Sequence, residues 1–160
     1  MSRKVLTVEK SKCIGCRICE QWCSLTHHGV INPVKARVKV TRIEESGVDV
    51  PVICTQCSKA ACIAACPEGA LSKNPKTGAI KVDKEKCTAC RKCVTACPNA
   101  AISVHPEDEY VLICDLCNGK PKCVENCPEK ALQYLPIETS ERIYRSKVVR
   151  DTAKGGKRCG

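Results

Sequence analysis

The sequence predicts an α+β fold of short strands and helical turns arranged around cysteine-rich loops. Cysteine supplies 17 of the 160 residues, and sixteen of these fall into four short crowds. Each crowd follows a short run of β-branched and aliphatic residues, such as VLTV, VPVI, AIKV and YVLI, which favours a strand. One unit of strand and cysteine loop is therefore used four times along the chain.

The composition leaves little material for a conventional core. The chain has no Phe, and aromatic residues make up only 2% of it. An apolar core alone is then too thin to hold the fold, so cross-links must replace part of the missing burial. Disulfides, zinc and iron–sulfur clusters are the candidates.

The N-terminal stretch MSRKVLTVEKSKC has no apolar run long enough for a signal-peptide core and no twin arginine. No window approaches eighteen uninterrupted apolar residues, so we expect no membrane span. Both observations predict a cytoplasmic protein, in which thiols stay reduced and cysteines more often serve metals or catalysis.

Two kinds of cysteine unit alternate along the chain. The spacing C-x2-C-x2-C-x3-C joins Cys13, Cys16, Cys19 and Cys23, and again Cys87, Cys90, Cys93 and Cys97. The other kind has more residues between its second and third cysteines. It comprises Cys54, Cys57, Cys62 and Cys66, and again Cys114, Cys117, Cys123 and Cys127. Three units end in Cys-Pro, where proline stops the turn from continuing as a helix. The first unit has Cys23-Ser24 instead, so its following segment is free to leave in another direction.

The spacing favours iron–sulfur clusters. Three closely spaced thiolates can wrap one corner of a cluster while the fourth cysteine reaches a neighbouring one, which is the bacterial two-cluster pattern. Structural zinc usually takes two cysteine pairs a dozen or more residues apart, so zinc is the weaker alternative and disulfides are a remote third. Sixteen ligands predict four [4Fe–4S] clusters. Their charge of about −2 each would cancel most of the formal charge of +10, so we expect no nucleic-acid partner.

Two segments lie outside the repeat. Residues 24–53 carry the alternating runs ARVKVTRI and VDVPVI on either side of EESG, which predicts an inserted β-hairpin. Residues 136–160 form a polar, basic tail that we expect to serve in docking, and Cys159 within it is interpreted as a spare thiol.

Residues 5–135 resemble the four-cluster, ferredoxin-like electron-transfer subunits of modular redox enzymes. That family includes the iron–sulfur subunits of molybdenum and tungsten enzymes, such as aldehyde oxidoreductase, and those of hydrogenases and carbon monoxide dehydrogenase. The resemblance implies two interleaved bacterial ferredoxin-like modules. Residues 1–23 and 98–135 would form the outer module, and residues 54–97 the inner one.

The resemblance also implies which cysteines share a cluster. One cluster would take Cys13, Cys16, Cys19 and Cys127, and its neighbour Cys114, Cys117, Cys123 and Cys23. The inner module would use Cys54, Cys57 and Cys62 with Cys97, and Cys87, Cys90 and Cys93 with Cys66. A simple tandem repeat would instead pair the first unit with the second.

The implied function is electron transfer between a large catalytic subunit and an external redox partner. A tungsten or molybdenum pterin enzyme, with aldehyde oxidoreductase first, is the favoured partner. The alternatives are a freestanding polyferredoxin, a subunit of a hydrogenase or carbon monoxide dehydrogenase, and copies that stack into a longer conductor. A flavoprotein or ferredoxin is a further candidate partner.

No catalytic constellation accompanies the cysteines. We interpret the adjacent pair His27 and His28 as solvated in a polar loop. Apolar residues within the loops are predicted to pack on the clusters and exclude water: Ile14, Ile18, Ile53, Ile63, Val94, Ile113, Leu116 and Val124. The cations between ligands are predicted to lie on a solvated face: Arg17, Arg91 and Lys92.

Overall fold

The computed structural model describes the backbone of residues 3–153 and the side chains of residues 3–146. Within this range, four antiparallel two-stranded sheets and five α-helices surround the cysteine loops. The strands are β1 (Lys4–Val8), β2 (Lys39–Ile43), β3 (Val48–Val52), β4 (Leu71–Lys73), β5 (Ile80–Val82), β6 (Ser103–Val104), β7 (Val111–Leu112) and β8 (Leu132–Pro136). The helices are α1 (Ile18–His28), α2 (Ala61–Ala64), α3 (Lys92–Thr95), α4 (Lys122–Glu125) and α5 (Ile137–Ala153). The α+β class predicted from the sequence is confirmed.

The two ends of the cysteine repeat meet in one sheet. β1 pairs with β8 in antiparallel register, with Val5 opposite Leu135 and Val8 opposite Leu132. The Glu9 N–H then donates to the Ala131 carbonyl at 2.7 Å, which extends the pairing beyond the strands. This sheet places the first cysteine unit beside the fourth, and α1 packs against α4.

The other sheets are hairpins between successive cysteine units. β4 pairs with β5 between the second and third units, and β6 pairs with β7 between the third and fourth. The short helices α2 and α3 contact each other, which places the second unit beside the third. The alternation in the inserted segment predicted a hairpin, and there β2 pairs antiparallel with β3 from Lys39 opposite Val52 to Ile43 opposite Val48.

The helix α1 runs past the end of the first cysteine unit. Because Ser24 replaces the proline found in the other units, the helix continues to His28 and ends at Gly29, whose φ is +69°. Ser24 is fully buried, and its hydroxyl oxygen accepts from the Asn32 N–H at 3.0 Å while donating to the Gln21 carbonyl. The boundary predicted after residue 23, where the first part of the outer module ends, therefore falls inside α1.

Each Cys-Pro unit closes with the same tight turn. The residue three positions after the fourth cysteine has positive φ: Gly69 (+57°), Ala100 (+48°) and Lys130 (+50°). Its N–H donates to the carbonyl of that cysteine at 3.4, 3.2 and 3.2 Å respectively. The turn sends the chain directly back into a strand after each unit.

The core is as thin as the composition predicted. Its largest fully buried side chains are aliphatic: Ile80, Leu112, Ile113, Leu116, Leu132, Val38 and Val111. Buried cysteines belong to the same cluster of contacts. The apolar layer is therefore a lining between cysteine loops rather than a separate interior.

The helix α5 follows β8 without a loop and contacts both β1 and β8. The Ile137 N–H donates to the Arg3 carbonyl at 3.0 Å, which ties its first turn to the start of β1. Cys159, interpreted as a spare thiol, lies outside the described residues. No helix in the described part of the chain has the length and apolarity needed to cross a membrane.

Candidate metal centres

One end of the molecule carries a pocket lined by four thiols from distant parts of the chain. Cys13 and Cys16 come from the loop between β1 and α1, Cys19 from the first turn of α1, and Cys127 from the turn after α4. The β1–β8 sheet is what brings Cys127 to the other three. We call these four cysteines set A.

A second thiol-lined pocket lies at another surface of the molecule. Its cysteines are Cys87, Cys90 and Cys93 from the third unit and Cys66 from the second. Leu71 and Val111 complete an apolar lining. We call these four cysteines set D.

We group the remaining eight described cysteines into two further sets, as the family resemblance implies, and five of them are buried. Set B contains Cys114, Cys117, Cys123 and Cys23. The pKa of Cys123 is raised well above its usual range by burial and by the charges of Cys23 and Cys117. Set C contains Cys54, Cys57, Cys62 and Cys97. Burial raises the pKa of Cys54 to about 11, and the charges of Cys62, Cys57 and Cys97 contribute.

Interactions between thiols and between helices link the four sets in the order A, B, C, D. Cys19 of set A is close enough to Cys123 of set B to raise its pKa. Cys54 of set C acts in the same way on Cys114 of set B. Sets C and D share the packed helices α2 and α3. Cys16 of set A and Cys90 of set D are the exposed cysteines at the two ends of this row.

The chemistry of these donor sets fits [4Fe–4S] clusters. All sixteen described cysteines are free of disulfides. Burial is the main cause that raises the pKa of Cys19 to about 12 and that of Cys93 to about 11. Thiolates are unstable in such surroundings unless a cation compensates their charge, and each set offers the four thiolates that one cluster takes.

The four loops share an unusual backbone conformation. The residue before the second cysteine of each unit has positive φ: Gly15 (+70°), Gln56 (+54°), Ala89 (+50°) and Leu116 (+59°). For a non-glycine residue this conformation costs roughly 1 kcal/mol or more. The same strained turn in four loops indicates a common requirement for aiming two thiols at one point. Only Gly15 signals this turn in the sequence, because the other three residues are not glycine.

Hydrogen bonds to sulfur concentrate on the two inner sets. The Arg37 N–H donates to Cys23 Sγ at 3.2 Å, and the Ala101 N–H donates to Cys97 Sγ at 3.4 Å. Cys57 Sγ lies 3.5 Å from Thr55 Oγ1 and 3.9 Å from Asn99 Nδ2. Donors of this kind withdraw charge from a thiolate ligand and help to set the potential of a bound cluster.

The interpretation of His27 and His28 as solvated is wrong. Because α1 continues one turn past Cys23, the half-buried His27 ring places Nε2 3.6 Å from Cys117 Sγ and 3.4 Å from Asp115 Oδ1. Burial lowers the pKa of His27 to about 4, and the nearby Arg37 acts in the same direction. The His28 ring lies 5.2 Å from the ring of His105, which is buried.

The loop residues predicted to exclude water divide into two groups. Ile53, Ile113 and Leu116 are buried as predicted, and half-buried positions are taken by Ile18, Ile63, Val94 and Val124. Ile14 is 62% exposed but lines the pocket of set A, so its predicted role beside a cluster stays a prediction. Three cations between ligands are exposed as predicted: Arg17, Arg91 and Lys92.

The sequence reasoning missed two buried polar residues beside the cysteines. Glu20 on α1 is only 3% exposed, and its Oε1 accepts from the Val40 N–H at 2.7 Å. Gln56 is also 3% exposed and bonds to the loop of the fourth unit. Nothing in the sequence around Glu20 or Gln56, which lie among the cysteines, indicates that either side chain is buried.

Comparison with known proteins matches residues 47–136 to the 4Fe–4S dicluster domain family. The polyferredoxin-like subunit of an aliphatic sulfonate oxidoreductase from Pyrococcus furiosus is 44% identical over 143 residues, which are 88% of this chain and 82% of that protein. The beta subunit of an NADH-dependent phenylglyoxylate dehydrogenase from Aromatoleum evansii is 32% identical, and the match covers 90% of this chain but only 32% of that subunit.

A solved structure shares the arrangement of the chain as well. The active site complex BamBC of benzoyl coenzyme A reductase, in complex with benzoyl-CoA, contains a chain that is 26% identical to this one. The two superpose with a TM-score of 0.51 over 96% of this chain and 98% of that one.

Proposed function

Since the chain belongs to the family of 4Fe–4S dicluster domains, we propose that it is the electron-transfer subunit of a larger oxidoreductase and carries four [4Fe–4S] clusters. The observation that carries this proposal is the row of four thiol sets, A to D, which begins at the exposed Cys16 and ends at the exposed Cys90. Each set would ligate one cluster.

The ends and the middle of the row have different roles in electron transfer. A [4Fe–4S] cluster, when bound, takes up and releases one electron. The exposed positions of Cys16 and Cys90 bring sets A and D to the surface, where a redox partner can approach. The buried thiols of Cys114 and Cys54 keep water away from the middle of the row, so electrons are not lost there to solvent-borne oxidants.

The partner that we propose is a catalytic subunit containing a tungsten or molybdenum pterin. The name of the Pyrococcus relative, a subunit of an aliphatic sulfonate oxidoreductase, supports an enzyme complex rather than a lone carrier. An aldehyde or an aliphatic sulfonate is the substrate class that we favour. The helix α5, which is anchored on β1 and β8, offers a docking element outside the cysteine repeat.

The test is to purify the affinity-tagged chain from its native cells without oxygen and to identify what accompanies it. We expect a larger subunit with tungsten or molybdenum, whose substrate bleaches the iron–sulfur absorbance of the complex. A chain that purifies alone, and is reduced only by other electron carriers, would instead be a freestanding polyferredoxin. A companion with nickel would indicate a hydrogenase or a carbon monoxide dehydrogenase.

A further inference from the structure

His27 stands out because nothing in the ligand pattern requires it. It lies four residues after Cys23 on α1, and its Nε2 is 3.6 Å from the sulfur of Cys117, which is 90 residues away in the chain. Only 12% of its side chain is exposed. The helix α1 thus supplies Cys23 to set B and also places the His27 imidazole beside the thiol of Cys117, another member of that set.

The surroundings of His27 hold it in that position. Asp115 Oδ1 lies 3.4 Å from the same Nε2, and Asp115 is itself fixed by the Cys117 N–H at 2.9 Å and by Arg37 Nη1 at 2.7 Å. The Arg37 N–H in turn donates to Cys23 Sγ at 3.2 Å. Arg37, Asp115 and His27 therefore form one connected group that touches two of the four thiols of set B.

The proton of a neutral His27 belongs on Nε2. Both groups that face this nitrogen, a ligand sulfur and a carboxylate oxygen, accept hydrogen bonds, so a bare nitrogen lone pair there would be repelled by both. The charge of Asp115 is compensated by its ion pair with Arg37. A neutral N–H donor on Nε2 would then lie between two acceptors, Asp115 Oδ1 at 3.4 Å and Cys117 Sγ at 3.6 Å.

We propose that His27 is a positioning residue that raises the reduction potential of the cluster bound by set B, through an Nε2–H hydrogen bond to Cys117 Sγ. An N–H donor to a ligand sulfur stabilises the added negative charge and so favours the reduced form. The reduction balances as one electron gained by this cluster and one lost by the neighbouring cluster of set A or set C. The inference rests on the proposed ligand sets.

The test is a redox titration of the four-cluster chain, followed by electron paramagnetic resonance, in three variants. His27→Leu removes the donor and is expected to lower one potential by a tenfold change in the reduction equilibrium, about 59 mV for one electron. His27→Gln retains an N–H at a similar reach and should restore the native value. His28→Leu removes the neighbouring imidazole, which faces His105, and should leave all potentials in place. The affected signal should be the one that Cys117→Ser also alters.

Unchanged potentials in His27→Leu would overturn the proposal, and so would an equal drop in His28→Leu. If His27→Leu fails to assemble, the native protein labelled with isotopic histidine decides. A magnetic coupling between a histidine nitrogen and the reduced cluster supports the inference, and its absence refutes it. Failure of the ligand sets themselves is distinguishable, because iron analysis of the native chain would then give fewer than four clusters.

Discussion

The side-chain amide of Gln56 donates from Nε2 to the carbonyl of Cys114 at 2.7 Å, and so joins the ligand loop of set C to that of set B. Its Oε1 accepts from the Ile80 N–H at 2.8 Å, and its backbone carbonyl accepts from Arg3 at 2.9 Å. One buried residue thus connects β5 and the residue that precedes β1 with two cysteine loops.

Replacing Gln56 with Leu should destabilise the protein markedly. The change leaves the Cys114 carbonyl and the Ile80 N–H buried without partners, at a cost of about 1–3 kcal/mol each. We expect the midpoint for thermal loss of cluster absorbance to fall by roughly 5–20 °C. The control is Gln21→Leu, at an exposed glutamine on α1, which should shift the midpoint by less than about 2 °C. Equal midpoints in the two variants would contradict the role given to Gln56.

Gly15→Ala should impair set A because of Asp49 rather than because of the backbone. The equivalent positions hold Gln56, Ala89 and Leu116 at similar positive φ, so a side chain is tolerated in that conformation. A Cβ at residue 15, however, would collide with the carboxylate of Asp49 from β3.

The measurement is iron per chain and the half-life of cluster absorbance, both of which should fall in Gly15→Ala. Gly69→Ala is the matched control, since its φ is +57° and nothing lies within 4 Å of a Cβ there. The double variant Gly15→Ala with Asp49→Ala should recover most of the loss. If the double variant remains as poor as the single one, the collision is not the cause.

Glu20→Gln should raise the potential of the cluster bound by set A. The charge of Glu20 adds to burial in raising the pKa of Cys19, so the same charge opposes an added electron. Glutamine keeps an acceptor for the Val40 N–H and removes the charge. We expect an increase of roughly 50–100 mV in a spectroscopic redox titration.

The control for Glu20 is Glu129→Gln, because Glu129 lines the same pocket but is exposed. Solvent and salt screen its charge, so the shift should be much smaller. A shift of equal size in both variants, or no shift in Glu20→Gln, would refute the prediction.

Cluster assembly on the metal-free chain should weaken as the pH falls. The pKa of Cys54 and that of Cys93 are raised to about 11 from 9.0, so these thiols hold their protons at neutral pH and must release them to bind iron. Reconstitution with limiting iron and sulfide should therefore be more complete at pH 8 than at pH 6. Yields that do not change between these values would show that thiol deprotonation does not limit assembly.

The sequence was sufficient to predict the family and the local secondary structure. Repeated spacing predicted a ferredoxin-like iron–sulfur protein, which the family match confirms, and alternation predicted the strands that became β2 and β3. The ligand role of the sixteen cysteines and the number of clusters remain predictions. The structure nevertheless brings Cys127 to Cys13 and Cys66 to Cys87, as the family resemblance implied.

The contacts that tune the site could not be predicted, because they join residues far apart in the chain. Gln56 and Cys114 are 58 positions apart, and His27 and Cys117 are 90 apart. Both depend on how β1, β8 and α1 pack, which no local pattern encodes.

The central claim, that four thiol sets hold four cubane clusters, is tested most directly by metal and sulfide analysis. Iron, acid-labile sulfide and zinc should be measured per chain on one sample of the isolated protein, prepared without oxygen. The account predicts about sixteen iron and sixteen sulfide with negligible zinc. About eight of each would leave two of the sets without clusters, and stoichiometric zinc would contradict the account altogether.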